Sequence, residues 1–163
     1  MVVVVGNRLR GDDAAGPLVA DALRAAPGRV RVIEAGTDPL RLLDAWEGDE
    51  AVFVVDAVCS GATPGTIHTF AADDAGLLPE PLGGSTHGFG LATVVELGRT
   101  LGRLPRQLTI IGIEGARFDM GAPAHPDVQR AAIAVAARIQ ASVHAPASPS
   151  LGRVVPVSGD GRS

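Results

Sequence analysis

Short apolar runs bounded by polar residues alternate along the chain with segments whose apolar residues recur at helical spacing. Val2 to Val5 is β-branched throughout and stops at Gly6-Asn7, the pattern of a strand buried on both faces of a parallel sheet. Ala14 to Ala26 sets Leu18, Val19, Ala22 and Leu23 on one helical face and is closed by Pro27-Gly28. Val30, Val32 and Ile33 predict a second strand; Gly36-Thr37-Asp38-Pro39 predicts a turn with a capping residue, and Leu40, Leu42, Leu43 and Trp46 a short helix. Ala51 to Val55 is a third, central strand ended by Asp56. Thr66 to Phe70 predicts a fourth strand, and the Pro-, Gly- and Asp-rich stretch from Ala71 to Gly84 a surface loop. Leu91, Val94, Val95 and Leu97 mark a helix from Phe89 to Leu101, stopped by Gly102. Leu108 to Ile113 is a further buried strand, and Pro126 to Val143 a long helix rich in Ala, Ile and Val.

Strands alternating with helices predict an α/β fold built from right-handed βαβ crossovers, an open sheet with helices on both faces. With 163 residues and no internal repeat, the expectation is one domain over residues 1–144. From Ala145 the chain turns to Pro, Ser and Gly without a period, which predicts a mobile tail over 145–163. Hydrophobic residues make up 46% of the chain, enough for a core, but aromatics only 3%, so that core is aliphatic and stacking on bases or sugars is disfavoured. All fourteen basic residues are Arg, against eighteen acids, and the net charge of −4 offers no basic face for nucleic acid. Cys59 is the only cysteine, which excludes an internal disulfide and a Cys-only zinc site and fits a reducing cytoplasm. The apolar opening has no basic segment ahead of it, and no run approaches membrane-spanning length; the expectation is a soluble protein with no membrane contact.

In such a sheet, ligands are held by loops leaving the carboxyl ends of strands. Asp12 and Asp13 follow the first strand, Asp56 ends the third, and His87 stands just ahead of the helix near Phe89. Parallel first and third strands put Asp13 and Asp56 on one rim, and His87 joins them if its helix starts from that side. Two carboxylates and an imidazole suit a divalent transition metal with open positions. Each residue has an ordinary structural reading beside this one. Asp12 is read as a helix cap, which is also open to Asp13; Asp56 can form a turn with its own backbone, and His87 can be a plain loop histidine. Cys59 as a nucleophile with His87 as base is a weaker alternative, since a small buried cysteine is the commoner fate. His68, alternating within a strand, and His144, at a helix end, read as structural or solvent-facing, and His125 as local to the helix start that follows it. The segment Gly6 to Gly16 lacks the glycine spacing of a dinucleotide-binding turn, and no Gly-Lys-Ser/Thr occurs.

Taken together, Gly6-Asn7-Arg8-Leu9-Arg10-Gly11-Asp12-Asp13-Ala14-Ala15-Gly16-Pro17, Gly36-Thr37 followed by Leu42-Leu43, Val55-Asp56-Ala57 with Pro64-Gly65-Thr66, Thr86-His87-Gly88-Phe89-Gly90-Leu91 and Ile111-Gly112-Ile113-Glu114 resemble the nickel–iron hydrogenase maturation endopeptidases. The resemblance runs over residues 2 to 140, in order. It implies a three-layer αβα sandwich around a mostly parallel twisted sheet of about five strands. It also implies a peptidase that removes the C-terminal extension of the hydrogenase large-subunit precursor, with Asp13, Asp56 and His87 as the metal-contacting and catalytic residues. The nickel implied is supplied by that precursor, so the free protein need carry none. The chain departs from the family in carrying Val4 where many members have glycine, Asp13 where many have Glu, and Asp38-Pro39 after Gly36-Thr37. Two further classes stay open: a non-enzymatic metal- or ligand-binding α/β module, and a cysteine hydrolase using Cys59. The hydrogenase isoenzyme, the cut site and the oligomeric state are not legible.

Overall fold

The computed structural model describes residues 1–28, 30–36, 38, 40–71 and 91–144. Five strands form one sheet: β1 (Val2–Val5), β2 (Val32–Gly36), β3 (Ala51–Val58), β4 (Ile67–Ala71) and β5 (Gln107–Glu114), in the order β2-β1-β3-β5-β4. A 3-10 turn, Gly11–Ala14, leads into helix α1 (Ala15–Ala25); α2 (Leu40–Ala45), α3 (Leu91–Thr100) and α4 (Pro126–His144) complete the layers. The continuous apolar runs take the central places, because a strand covered on both faces exposes no side for polar residues.

Alternation sorts the side chains into two cores. Val2, Val4, Val55, Ala57, Ile111 and Ile113 pack with α1 and α4; Val3, Val5, Val52, Val54, Val58, Leu108 and Ile110 pack with α2 and α3. The result is the expected three-layer αβα sandwich. β1 pairs in parallel with β2 and β3, and β3 with β5; β4 runs antiparallel to β5 at the sheet edge.

Two details differ from the sequence reading. Asp56 does not end β3: the strand continues through Ala57 and Val58, paired with Ile113 and Glu114, because β5 is long enough to carry the ladder two residues further. The first helix starts at Ala15 rather than Ala14, which instead closes the 3-10 segment Gly11–Ala14. The predicted loop Ala71 to Gly84, apart from Ala71, and the tail over 145–163 lie outside the described residues.

Between β1 and β3 the strand order reverses, since the chain leaves β1 for β2 on one side and returns to β3 on the other. A crevice at the carboxyl ends of the strands is the expected ligand position in such a sheet. Helix α1 closes against this corner because Gly16 has no side chain: a Cβ there would lie 2.2 Å from the Val5 carbonyl oxygen and 3.1 Å from that of Val55.

Candidate functional site

Asp13 and Asp56 both lie at this reversal point. Asp13 stands over the end of β1, where its Oδ2 accepts the Asn7 N–H at 3.1 Å and its carbonyl accepts the same group at 3.2 Å. The tight return needs Gly6, at φ +131°, because a Cβ there would come within 2.1 Å of the Asp13 carbonyl oxygen. Asp56 follows Val55, the register partner of Val4, and its Oδ1 accepts the Ala57 N–H at 2.8 Å. Both acids are buried. A buried carboxylate is costly unless it is paired or hydrogen-bonded, so two of them at one strand-end corner set it apart from an aliphatic core.

His87, the third residue expected here, lies outside the described residues. Among the described residues, no three His, Cys, Asp or Glu side chains group to hold a metal ion. Helix α3 does run in the direction the sequence reading required. Its last turn is at the amino ends of the strands, where Gly98 packs on Leu43, Trp46 and Leu104 and Arg103 reaches Asp44 and Glu47, so its first residue, Leu91, lies toward the carboxyl rim.

Asp12 is not the helix cap expected of it. Neither the 3-10 turn nor α1 has a side-chain cap. Its carboxylate is fully buried and ties the first loop to the one after β5: Oδ2 accepts Ala116 N–H at 2.8 Å and Arg117 N–H at 2.9 Å, and Oδ1 accepts His125 N–H at 2.6 Å. Burial raises the carboxyl pKa, but the N–H groups of His125, Ala116 and Arg117 together outweigh it and hold the group below its ordinary value. The clasp is completed by Asp12 N–H to the Arg117 carbonyl, Gly121 N–H to the Leu9 carbonyl and Arg10 Nε to the Phe118 carbonyl. The imidazole of His125, as expected, is local, its Nδ1 accepting the Asp127 N–H at 3.2 Å, while its backbone N–H belongs to the Asp12 clasp.

Glu114 is a second organiser that the sequence reading noted only within the Ile111 to Glu114 stretch. Fully buried at the end of β5, it accepts Ser60 N–H at 2.7 Å, Gly61 N–H at 2.9 Å and Ala62 N–H at 3.2 Å on Oε1. Its Oε2 takes the Ser60 hydroxyl at 2.8 Å and meets His68 Nε2 at 3.2 Å. One carboxylate thus holds the loop after β3 and a residue of β4. An acid directly ending a buried apolar run was the available signal. Cys59, expected to be buried, is exposed.

The family model of the hydrogenase maturation proteases matches residues 18–142. The chain belongs to this family. It is 33% identical over 132 residues to the hydrogenase expression/formation protein HupD of Rhodobacter capsulatus, covering 78% of this chain and 63% of that protein. To the hydrogenase 2 maturation protease of Escherichia coli it is 30% identical over 118 residues, covering 69% and 71%. The alignments span less than two thirds of the length of the R. capsulatus protein and of the Thiocapsa roseopersicina HupD, 63% and 60%. Among solved structures, the hydrogenase maturating endopeptidase HybD from E. coli superposes with a TM-score of 0.68 at 25% identity, covering 87% of this chain and 91% of that one. The resemblance read from the motifs is therefore that of a family member, and Asp56 and His87 fall inside the matched segment while Asp13 precedes it. Among the described residues no helix is long and apolar enough to cross a membrane.

Proposed function

We propose that this chain is an endopeptidase that removes the C-terminal extension of a nickel-loaded hydrogenase large-subunit precursor, in the cytoplasm, using the precursor's own nickel for recognition. The observation that carries the proposal is the pair of buried acids, Asp13 and Asp56, at the strand-order reversal of a chain in the maturation protease family. Two carboxylates and the His87 imidazole form a mixed oxygen and nitrogen donor set, suited to a borderline divalent ion that keeps open positions. Asp13, Asp56 and His87 hold the substrate's metal, and one carboxylate takes the proton of the attacking water and returns it to the leaving amine. A divalent ion near the scissile bond polarises its carbonyl. Because both carboxylates are buried in regular structure, Asp56 within β3 and Asp13 in the 3-10 turn ahead of α1, the chain orients its substrate without rearranging its own backbone.

The test is incubation with nickel-loaded and nickel-free precursor, followed by mass spectrometry. The expected result is loss of a small C-terminal fragment from the nickel-loaded sample alone; loss in both, or in neither, defeats nickel-guided cleavage. In the same assay Cys59→Ala is expected to keep its rate within about twofold of the parent, since the thiol bears on no step. Abolished activity would instead select the cysteine hydrolase.

A further inference from the structure

Leu9 and Met120 are the two most exposed large apolar side chains among the described residues, open to 66% and 67%. A single exposed leucine is ordinary on a protein surface. These two stand together. The N–H of Gly121, the residue after Met120, donates to the Leu9 carbonyl at 2.7 Å, so both side chains rise from adjoining backbone in the loops that follow β1 and β5, at the carboxyl rim of the sheet. Arg10 and Arg117 lie on the same two loops. Neither makes an ion pair among the described residues, whereas Arg8, Arg24, Arg99 and Arg103 each reach an acid. Arg117 is exposed, and Asp119 is the one acid on the exposed stretch 116–123. In a chain of net charge −4, this ridge is apolar with a surplus of positive charge.

The ridge is stiff. Gly11 N–H donates to the Ala122 carbonyl at 3.2 Å, Arg10 Nε donates to the Phe118 carbonyl at 3.0 Å, and the buried Asp12 carboxylate holds both loops from below. The loops close so tightly at Gly11, φ +54°, that a Cβ there would lie 2.3 Å from the Arg117 carbonyl oxygen. A surface fixed in advance loses little conformational freedom when a partner binds. The ridge also continues into the acid corner: Leu9 N–H donates to Asn7 Oδ1 at 2.9 Å, and Asn7 N–H donates to the Asp13 carboxylate. A protein that presents a peptide bond to Asp13 has Leu9 and Met120 as neighbouring surface.

We propose that Leu9, Met120 and Arg117 form a docking surface for the hydrogenase large-subunit precursor, and that the precursor segment seated there carries apolar side chains and a carboxylate. Exposed apolar groups rimmed by charge mark such contacts, and Met and Arg are among the residue types enriched in them. The inference rests on the peptidase reading and adds to it where the substrate protein is gripped outside the reacting corner.

Initial rates over a range of nickel-loaded precursor concentrations test it. The variants are the double substitution Leu9→Ser with Met120→Ser, the charge reversal Arg117→Glu, and Leu101→Ser, a control that is 53% exposed at the opposite end of the sheet. The double variant is expected to raise KM about tenfold with kcat within about twofold. Arg117→Glu is expected to raise KM similarly and to abolish the rise of KM with salt shown by the parent. Leu101→Ser is expected to match the parent. All these side chains are open to solvent, so thermal midpoints should stay within a few degrees. An unchanged KM in the double variant, or an equal rise in Leu101→Ser, would overturn the docking surface, and an Arg117→Glu that matches the parent would overturn its acidic complement. A parent that sediments as a dimer beside a monomeric double variant would give the ridge to a second copy of this chain and overturn the proposal too. A parent that leaves every precursor uncut defeats the peptidase reading; calorimetric titration of precursor into parent and double variant then tests the ridge by itself, equal Kd values overturning it.

Discussion

Asp56→Asn is expected to lower the rate of precursor processing by roughly 10²-fold or more while the thermal midpoint stays within a few degrees of the parent, because a group that handles the reacting proton or the metal commonly carries effects of that size. Asparagine keeps the oxygen that accepts the Ala57 N–H, so the local backbone of β3 has no reason to move. What it loses is the negative charge, and with it both the attraction for a divalent ion and the capacity to take a proton. Gel or mass analysis of processed precursor reads the first effect, and thermal melting the second. Unaltered processing would remove Asp56 from the site, and a collapsed melting point would recast it as a structural acid.

Asp12, the neighbour of Asp13, is expected to behave in the opposite way to Asp56, with its effect on stability. Asp12→Ala is expected to lose roughly 3 kcal/mol or more of stability, since the N–H groups of Ala116, Arg117 and His125 lose their common acceptor in a buried place. At this chain length that corresponds to a fall of ~6–12 °C in Tm. A loss below about 1 kcal/mol would show that water replaces the carboxylate readily.

The pH dependence has a fixed sign. Asp12 has its pKa lowered in the folded protein, so its contribution is fully present above the unfolded-chain value of about 3.9 and is lost as pH falls through the lower folded value. Asp21, held mainly by its hydrogen bond to Arg8, and Glu34, held mainly by Arg24, shift the same way but their side chains are about half and about a third open to solvent, so they contribute less. Stability of the parent should therefore decline as pH falls below about 4, and the decline should be shallower in Asp12→Ala. Urea midpoints across that range check it; equal slopes would dissociate the clasp from the acid response.

Much of the architecture was legible because burial writes itself into composition. Val2–Val5 and the VFVV of β3 are apolar at every position and the LTII of β5 at all but Thr109, a pattern that a strand covered on both faces tolerates, and the helical spacing of Leu18, Val19, Ala22 and Leu23 marks one covered face of α1. The direction of β4 was not legible. A period of two reports which residues share a face and says nothing of whether the neighbouring strand runs the same way. The split between Asp12 and Asp13 was equally hidden, since both are acids at the start of one helix and differ only in which backbone each faces.

What the sequence determined by itself is the order of strands and helices, the aliphatic core and the placing of acids after β1 and after the apolar run of β3, because each follows from local pattern and from which residues tolerate burial. Only the tertiary structure decided that Asp12 clasps a loop more than a hundred residues away, that Glu114 gathers Ser60 to Ala62 and His68, and that Asp56, Gly112 and His68 form one row. Those relations depend on strand register and on chain segments brought together across the sheet. Hydrogen bonds of that kind join residues with no common local pattern, so no reading along the chain contains them.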